Sequence, residues 1–302
     1  MTDLKGLNTM AVDDTARVTV LGLGLMGQAL SSTLAESGHT VTVWNRTPGK
    51  AAGLTEQGIT EAATLGEAIA ASPLVVAVLL DHDSVHDALD PYVEALSGRT
   101  LINLTSTSPN QARELARWAA ANDIPYLDGG IMASPDMIGG PDSSILYSGA
   151  ESVYAKHRPL LELWGEAAYF GEDPGLASLW DFALLSTMYL TFAAFYHGAA
   201  LVSGAGVPAA EFATRALPWL TGSAATIPLQ AAGMDSGDYT TDVQHLHFTK
   251  AAADAIHQTA VEQGVNPAMF EHFKNLVDRH VANGHGAESF VRIFESFKNP
   301  AQ

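Results

Sequence analysis

The chain contains no cysteine, so disulfides, thiolate nucleophiles and cysteine metal centres are all excluded, and a reducing, cytoplasmic setting is the expectation. Positive charge is also scarce. Fifteen Lys and Arg stand against 33 Asp and Glu, and a net charge of -18 disfavours nucleic acid or an anionic membrane surface as a partner. Residues 1–16 are polar and lack the apolar centre of a signal peptide, so a loose tail is expected there. Residues 182–202 lack any Asp, Glu, Lys or Arg and could cross a bilayer by length. That run nevertheless carries Ser186, Thr187, Tyr189, Thr191, Tyr196 and His197 without a flanking basic cluster, so a buried central helix and no membrane is the expectation. G-x-S-x-G elbows and Walker loops are missing, which leaves hydrolase and nucleotide-triphosphatase chemistry unsupported.

What is present begins with Gly22-Leu23-Gly24-Leu25-Met26-Gly27, set between the β-branched run 17–21 and a helical pattern. The first glycine permits a tight turn, the second lets backbone approach a pyrophosphate, and the third lets the helix pack closely on its strand. The helix N-terminus adds N–H groups for the phosphates. A second strand, residues 40–44, completes a βαβ unit and ends in Asn45-Arg46-Thr47 rather than in the carboxylate that would hold a free ribose 2′-hydroxyl. The guanidinium of Arg46, the hydroxyl of Thr47 and the cation of Lys50 suit a 2′-phosphate, so NADPH/NADP+ is the expected cofactor.

Apolar runs at 72–80 and 100–104 read as further buried strands, with helical patterns at 66–71, 84–96 and 110–122 between them. Strands are expected near 126–129, 144–149 and 167–170, with a helix near 153–163. The alternation stops beyond Gly171, leaving only helical segments. The fold class is therefore α/β: an N-terminal Rossmann domain, a long interdomain helix and an all-helical C-terminal domain. Expected boundaries are 17–173 for the cofactor domain, 174–203 for the helix and 204–302 for the helical domain. Leu79, Leu80, Asp81, Asn103, Thr105 and Ser106 follow the carboxyl ends of expected strands and join the cofactor-binding candidates.

The glycine turn with Met26 before its last glycine, the Asn45-Arg46-Thr47 strand end, Thr105-Ser106-Thr107-Ser108-Pro109 and the helical second half together resemble the β-hydroxyacid dehydrogenase superfamily, and within it the NADPH-dependent imine reductases. The dehydrogenases carry a lysine in the connector helix to handle the proton on the substrate oxygen. Here residues 175–185 hold no lysine, and Asp181 matches the Asp or Tyr that replaces it in imine reductases. The exchange suits the chemistry, because an anion stabilises a cationic iminium that an ammonium would repel.

The resemblance implies reduction of cyclic imines by hydride transfer to the C=N carbon, with Asp181 either donating the proton or stabilising the iminium. The apolar neighbours of Asp181 would raise its pKa. The plain alternative is a helix cap. Tyr189, about two turns on, returns to the same helix face; the resemblance places it in the catalytic pocket, and the alternative is a core aromatic. Ser106, Trp180, Leu185, Trp219, Phe248 and Thr249 are the substrate-pocket candidates implied in the same way. A homodimer with the site at the subunit interface is implied too, as is a weak preference for the R amine. Some members competent in reductive amination carry Gln at the place of Thr249 and Asn at that of Ser106, so only weak amination is expected. The rival readings are a dehydrogenase of 3-hydroxy acids and a non-catalytic NADP(H) sensor. His82 with His86, and His245 with His247, have ligand-like spacing but no evident third ligand, and no metal is expected.

Overall fold

The computed structural model describes residues 15–298, so most of the expected tail, residues 1–14, lies outside the described residues. Two compact units emerge, Met1–Ser186 and Thr187–Gln302.

The first unit is built on one eight-stranded sheet: β1 (Arg17–Leu21), β2 (Thr40–Trp44), β3 (Thr60–Glu61), β4 (Leu74–Ala77), β5 (Thr100–Asn103), β6 (Tyr126–Met132), β7 (Ser144–Gly149) and β8 (Glu166–Tyr169). Their order is β3-β2-β1-β4-β5-β6-β7-β8, parallel except for the antiparallel β6–β7 pair. The first six strands thus follow the doubly wound dinucleotide-binding order, whose switch point lies at the carboxyl ends of β1 and β4. Alternation along each strand feeds two cores, one per sheet face: Val18, Val20, Val76 and Ile102 pack on one side, Leu21, Val75, Ala77 and Leu101 on the other.

The connecting helices are α1 (Leu25–Glu36), α2 (Ala52–Thr55), α3 (Leu65–Ala71), α4 (His82–Leu89), α5 (Val93–Leu96), α6 (Pro109–Ala121) and α7 (Glu151–Leu161). Ser108 and Gln111 form a capping box at the start of α6, with Pro109 in the first turn. The single helix expected over 84–96 divides into α4, a 3-10 turn at Asp90–Tyr92, and α5. Pro91 accounts for the division, since it offers no N–H and crowds the preceding turn.

The long helix α8 (Gly175–Ser203) contains the boundary between the units. Its first turns are pinned in the first unit: Ala177 N–H donates to Ser148 Oγ at 2.8 Å, Ser178 Oγ donates to Thr107 O, and Arg113 holds Asp173 through two bonds of 2.8 and 2.7 Å. Only Gly175, Ala177, Ser178 and Asp181 of this helix are buried. The expectation of a buried central helix therefore fails within a single chain; by length and composition α8 could cross a membrane, and only 17% of its apolar window is covered.

In the second unit α8 is followed by α9 (Ala209–Ala224), α10 (Ile227–Ser236), α11 (Leu246–Glu262), α12 (Ala268–His280) and α13 (Phe294–Lys298). A charged square ties α11 to α12: Lys274 lies 3.0 Å from Asp254 and 2.6 Å from Asp278, and Lys250 pairs with the same two carboxylates.

Candidate active site

The turn between β1 and α1 admits only glycine at two places. A Cβ on Gly22, whose φ is +99°, would stand 2.1 Å from the Val78 carbonyl, and one on Gly27 would stand 1.9 Å from the Gly22 carbonyl. At Gly24 the same atom meets nothing within 4 Å, and Gly24 begins α1 with no side-chain cap. The turn is thus tight where it meets protein and open above the helix N-terminus, the form a pyrophosphate requires. It borders a cavity of about 760 Å³ that Asn45, Arg46, Thr47, Leu79 and Leu80 also line.

The candidates divide by what their side chains do. Arg46 and Thr47 are exposed at this cavity, as are Leu25 and Leu80 nearby. Asn45 spends its amide on the loop: its Oδ1 accepts from Leu23 N–H at 2.9 Å and its Nδ2 donates to Thr47 O at 2.9 Å. Leu23 is buried and Met26 packs on the core, so each offers backbone only. Lys50 is exposed and does not line the cavity. Asp81 caps α4, accepting from Ser84 N–H at 2.9 Å and Ser84 Oγ at 2.6 Å, and these bonds hold its pKa below the usual range.

A buried chain of hydrogen bonds joins the strand ends. Leu79 N–H donates to Thr105 Oγ1 at 2.9 Å, Thr105 N–H to Asn103 Oδ1 at 3.2 Å, and Asn103 Nδ2 to Asp128 Oδ1 at 3.2 Å. Tyr126 OH also donates to Asp128 Oδ1, at 2.7 Å. Asp128 is 1% exposed; burial pushes its pKa up to about 7 despite those bonds, and the charge of Asp181 adds to the rise.

Asp181 itself lies in the second turn of α8, not at its cap, and is 3% exposed. It rests on β6, where a Cβ on Gly130 would come within 2.8 Å of Asp181 Cβ. Gly130 and Asp128 share a face of the strand, so that missing side chain brings two carboxyl groups together. Burial raises the Asp181 pKa to about 6. Trp180, beside it, packs on Phe170 with ring centroids 4.9 Å apart, Leu185 is half-buried, and Ser106 is exposed on the turn after β5.

The remaining pocket candidates belong to the second unit. Tyr189 is 63% exposed, which removes the core-aromatic alternative within one chain. Trp219 is 77% exposed on a groove of about 310 Å³ shared with Phe195, Phe212 and Arg215. Phe248 is exposed, whereas Thr249 is buried and donates its hydroxyl back to His245 O at 3.3 Å.

Residues 17–171 match the NAD binding domain of 6-phosphogluconate dehydrogenase, and residues 173–299 match the family described as NADPH-dependent reductive aminase-like, C-terminal domain. Over 286 residues the chain is 38% identical to an NADPH-dependent reductive aminase of Aspergillus oryzae, covering 93% of this chain and 97% of that one. The chain belongs to the NADPH-dependent reductive aminase-like imine reductases. Solved structures agree. A reductive aminase from Aspergillus terreus, in complex with NADPH and ethyl levulinate, superposes with a TM-score of 0.90 at 43% identity, covering 94% of this chain and 99% of that one. An imine reductase from Streptomyces aurantiacus gives 0.89 at 34% identity, covering 93% and 99%. The chain is accordingly an oxidoreductase acting on C=N bonds, with NADP(H) as its cofactor.

Sequence reading of this imine reductase passed over two acidic residues. Asp128 stands in an apolar strand, and its position there is the one signal that could have found it. Glu114 supplies the third member of a cluster with His82 and His86 that the sequence spacing left incomplete. Burial opposes protonation of His86, yet its bonds to Asp90 and Glu114 raise its pKa overall. His245 instead caps α11 through Phe248 N–H, and the ring of His247 lies against Gly286.

Proposed function

We propose that this imine reductase reduces cyclic imines through Asp181, which handles the proton on the substrate nitrogen. The observation that carries the reading is a buried carboxyl with a pKa raised to about 6, at the position that the family resemblance matches to the lysine of the hydroxyacid dehydrogenases. A carboxyl of that strength makes the two roles expected of Asp181 into two sides of one proton transfer. Neutral acid beside neutral imine, and carboxylate beside iminium, differ only in where one proton lies. Bound NADPH supplies the hydride that adds to the imine carbon. Asp181 leaves the reaction as the carboxylate and regains its proton from solvent.

The other residues hold the parts in place. The Gly22–Gly27 turn and the N-terminus of α1 receive the pyrophosphate, and Arg46 with Thr47 receives the 2′-phosphate. The bonds from Leu79 through Thr105 and Asn103 to Asp128 fix the strand ends that would border the cofactor. In this reading residues 17–173 form the cofactor domain, 174–203 the connector and 204–302 the substrate and dimerisation domain. A second copy covers the bare surface of α8 and brings its helical domain, with Trp219 and Phe248, to complete a pocket in which Tyr189 stands about two turns beyond Asp181 on the connector. The exposure of Leu190, Phe192 and Tyr196 supports such a homodimer. Reductive amination is the weaker activity, since Thr249 turns its hydroxyl to its own helix and Ser106 offers only a short side chain.

The test is NADPH oxidation with 1-pyrroline and 2-methyl-1-pyrroline, run beside NADP+ reduction with 3-hydroxy acids. Turnover of the imines alone is expected. Turnover of the hydroxy acids alone, or of neither class, would overturn the reading.

A further inference from the structure

On the outer side of the first unit, α4 and α6 bring three ligand-type side chains together. His82 and His86 stand one turn apart on α4, and Glu114 projects from α6. Glu114 Oε2 lies 3.0 Å from His86 Nε2 and 3.5 Å from His82 Nε2, and the three candidate ligand atoms all fall within 4.8 Å of one another. A tetrahedral zinc ion with bonds of about 2.0–2.1 Å needs ligand–ligand edges of about 3.3 Å, which these separations bracket.

Two further features suit a cation. His86 Nδ1 is 2.9 Å from Asp90 Oδ1, so the nitrogen turned away from the cluster is already held by a carboxylate, the arrangement that orients a metal-bound imidazole. His82 Nδ1 is buried without a hydrogen-bond partner among the described residues, and its Nε2 faces only the Glu114 carboxylate at 3.5 Å. Trp118 shields one side, its ring edge-on to His86 at 5.6 Å, while the partial exposure of Glu114 leaves a fourth position open to water.

We propose that His82 Nε2, His86 Nε2 and the Glu114 carboxylate form a binding site for one divalent transition-metal ion of the zinc class. Two imidazoles and one carboxylate favour zinc, cobalt, nickel or copper over magnesium or calcium. The ion braces α4 against α6. Since α4 also borders the cofactor cavity through Ser84 and Asp87, the brace steadies that wall and takes no part in hydride transfer.

The experiment uses full-length protein freed of metal with a chelator, titrated with cobalt(II) while its visible absorption is followed, and then with competing zinc(II). One equivalent should bind per chain with a low-coordinate cobalt spectrum, and zinc should displace it and raise the thermal midpoint. Glu114→Gln and His86→Gln should abolish the spectrum, and Asp90→Asn should weaken binding about tenfold. Should either ligand variant fail to fold, His82→Gln, whose ring has only the long 3.5 Å contact to Glu114 to lose, reads the same loss. No saturable binding at millimolar cobalt, or binding by folded ligand variants as tight as wild type, would overturn the site.

Discussion

The two units differ in how fully each covers its own apolar surface. In Met1–Ser186 both sheet faces are sealed by helices, and β1, β4 and β5 are buried almost along their whole length. Beyond Ser186 the buried apolar set shrinks to Tyr239, Leu246, Ala253, Ala260, Leu276, Val277 and Val291, while Leu190, Phe192, Tyr196, Leu217 and Trp219 stand in the open. That is a large amount of apolar side chain to leave bare in one chain. The first unit therefore closes over its own core, while the second leaves the apolar surface that the proposed homodimer would cover.

The sharpest way to break that contrast is to attack the first unit at its tightest point. Gly27→Ala drives a Cβ into the Gly22 carbonyl and should cost about 3 kcal/mol, lowering the thermal midpoint by roughly 10 °C and abolishing NADPH binding. Gly24→Ala has open space to enter, so its midpoint should match wild type while NADPH affinity falls, because the methyl occupies room the pyrophosphate takes. Calorimetry and cofactor titration on the pair separate packing from binding. The helical unit should respond differently. Phe192→Glu combined with Tyr196→Glu should leave the first unit folded and able to bind NADPH, yet shift the mass seen by light scattering from dimer to monomer and stop turnover. A monomeric wild type would refute the proposed dimer.

Arg46→Ala should remove a charge-assisted contact worth about 2 kcal/mol, raising the KM for NADPH roughly 30-fold with little change for NADH. Another effect, one of pH, concerns Asp128. Its folded pKa of about 7 lies above an unfolded value of about 3.9, so the native state binds more protons than the unfolded state between those limits. Its contribution is fully present below the unfolded value and is lost as pH rises through the folded one. Urea unfolding at pH 5 and pH 8 should show Asp128→Asn gaining stability relative to wild type at the higher pH, and an unchanged difference would contradict the shift.

Most of the first unit was legible because its strands are long, apolar and bounded by turn residues. Strand β3 and helix α2 were not, since two ladder residues and one helical turn leave no periodicity to read. Strand β6 runs on to Met132 through Gly129 and Gly130, which mimic a loop in sequence but are there for packing: a Cβ on Gly129 would meet Leu146 O at 2.8 Å, and one on Gly130 would meet Asp181. The site divides in the same manner. Gly22 and Arg46 could be named as candidates from their places in a βαβ motif, and Asp181 from the family resemblance. Asp128 and Glu114 take their meaning from partners on other elements, Asn103 and Asp181 for one, His82 and His86 for the other, and only the fold brings these together. The apolar run of α8 shows in the sequence as a helix, but whether its own chain covers it does not, and here only 17% of its apolar window is buried.

Asp181 is proposed to select the C=N bond on a cofactor module of general use. Single-turnover reduction of 2-methyl-1-pyrroline at saturating NADPH, comparing wild type with Asp181→Asn, tests it most directly. The hydride-transfer rate should fall on the order of 100-fold with unchanged NADPH affinity. A variant reducing the imine within about twofold of the wild-type rate, where a lost proton donor should cost at least tenfold, would contradict it.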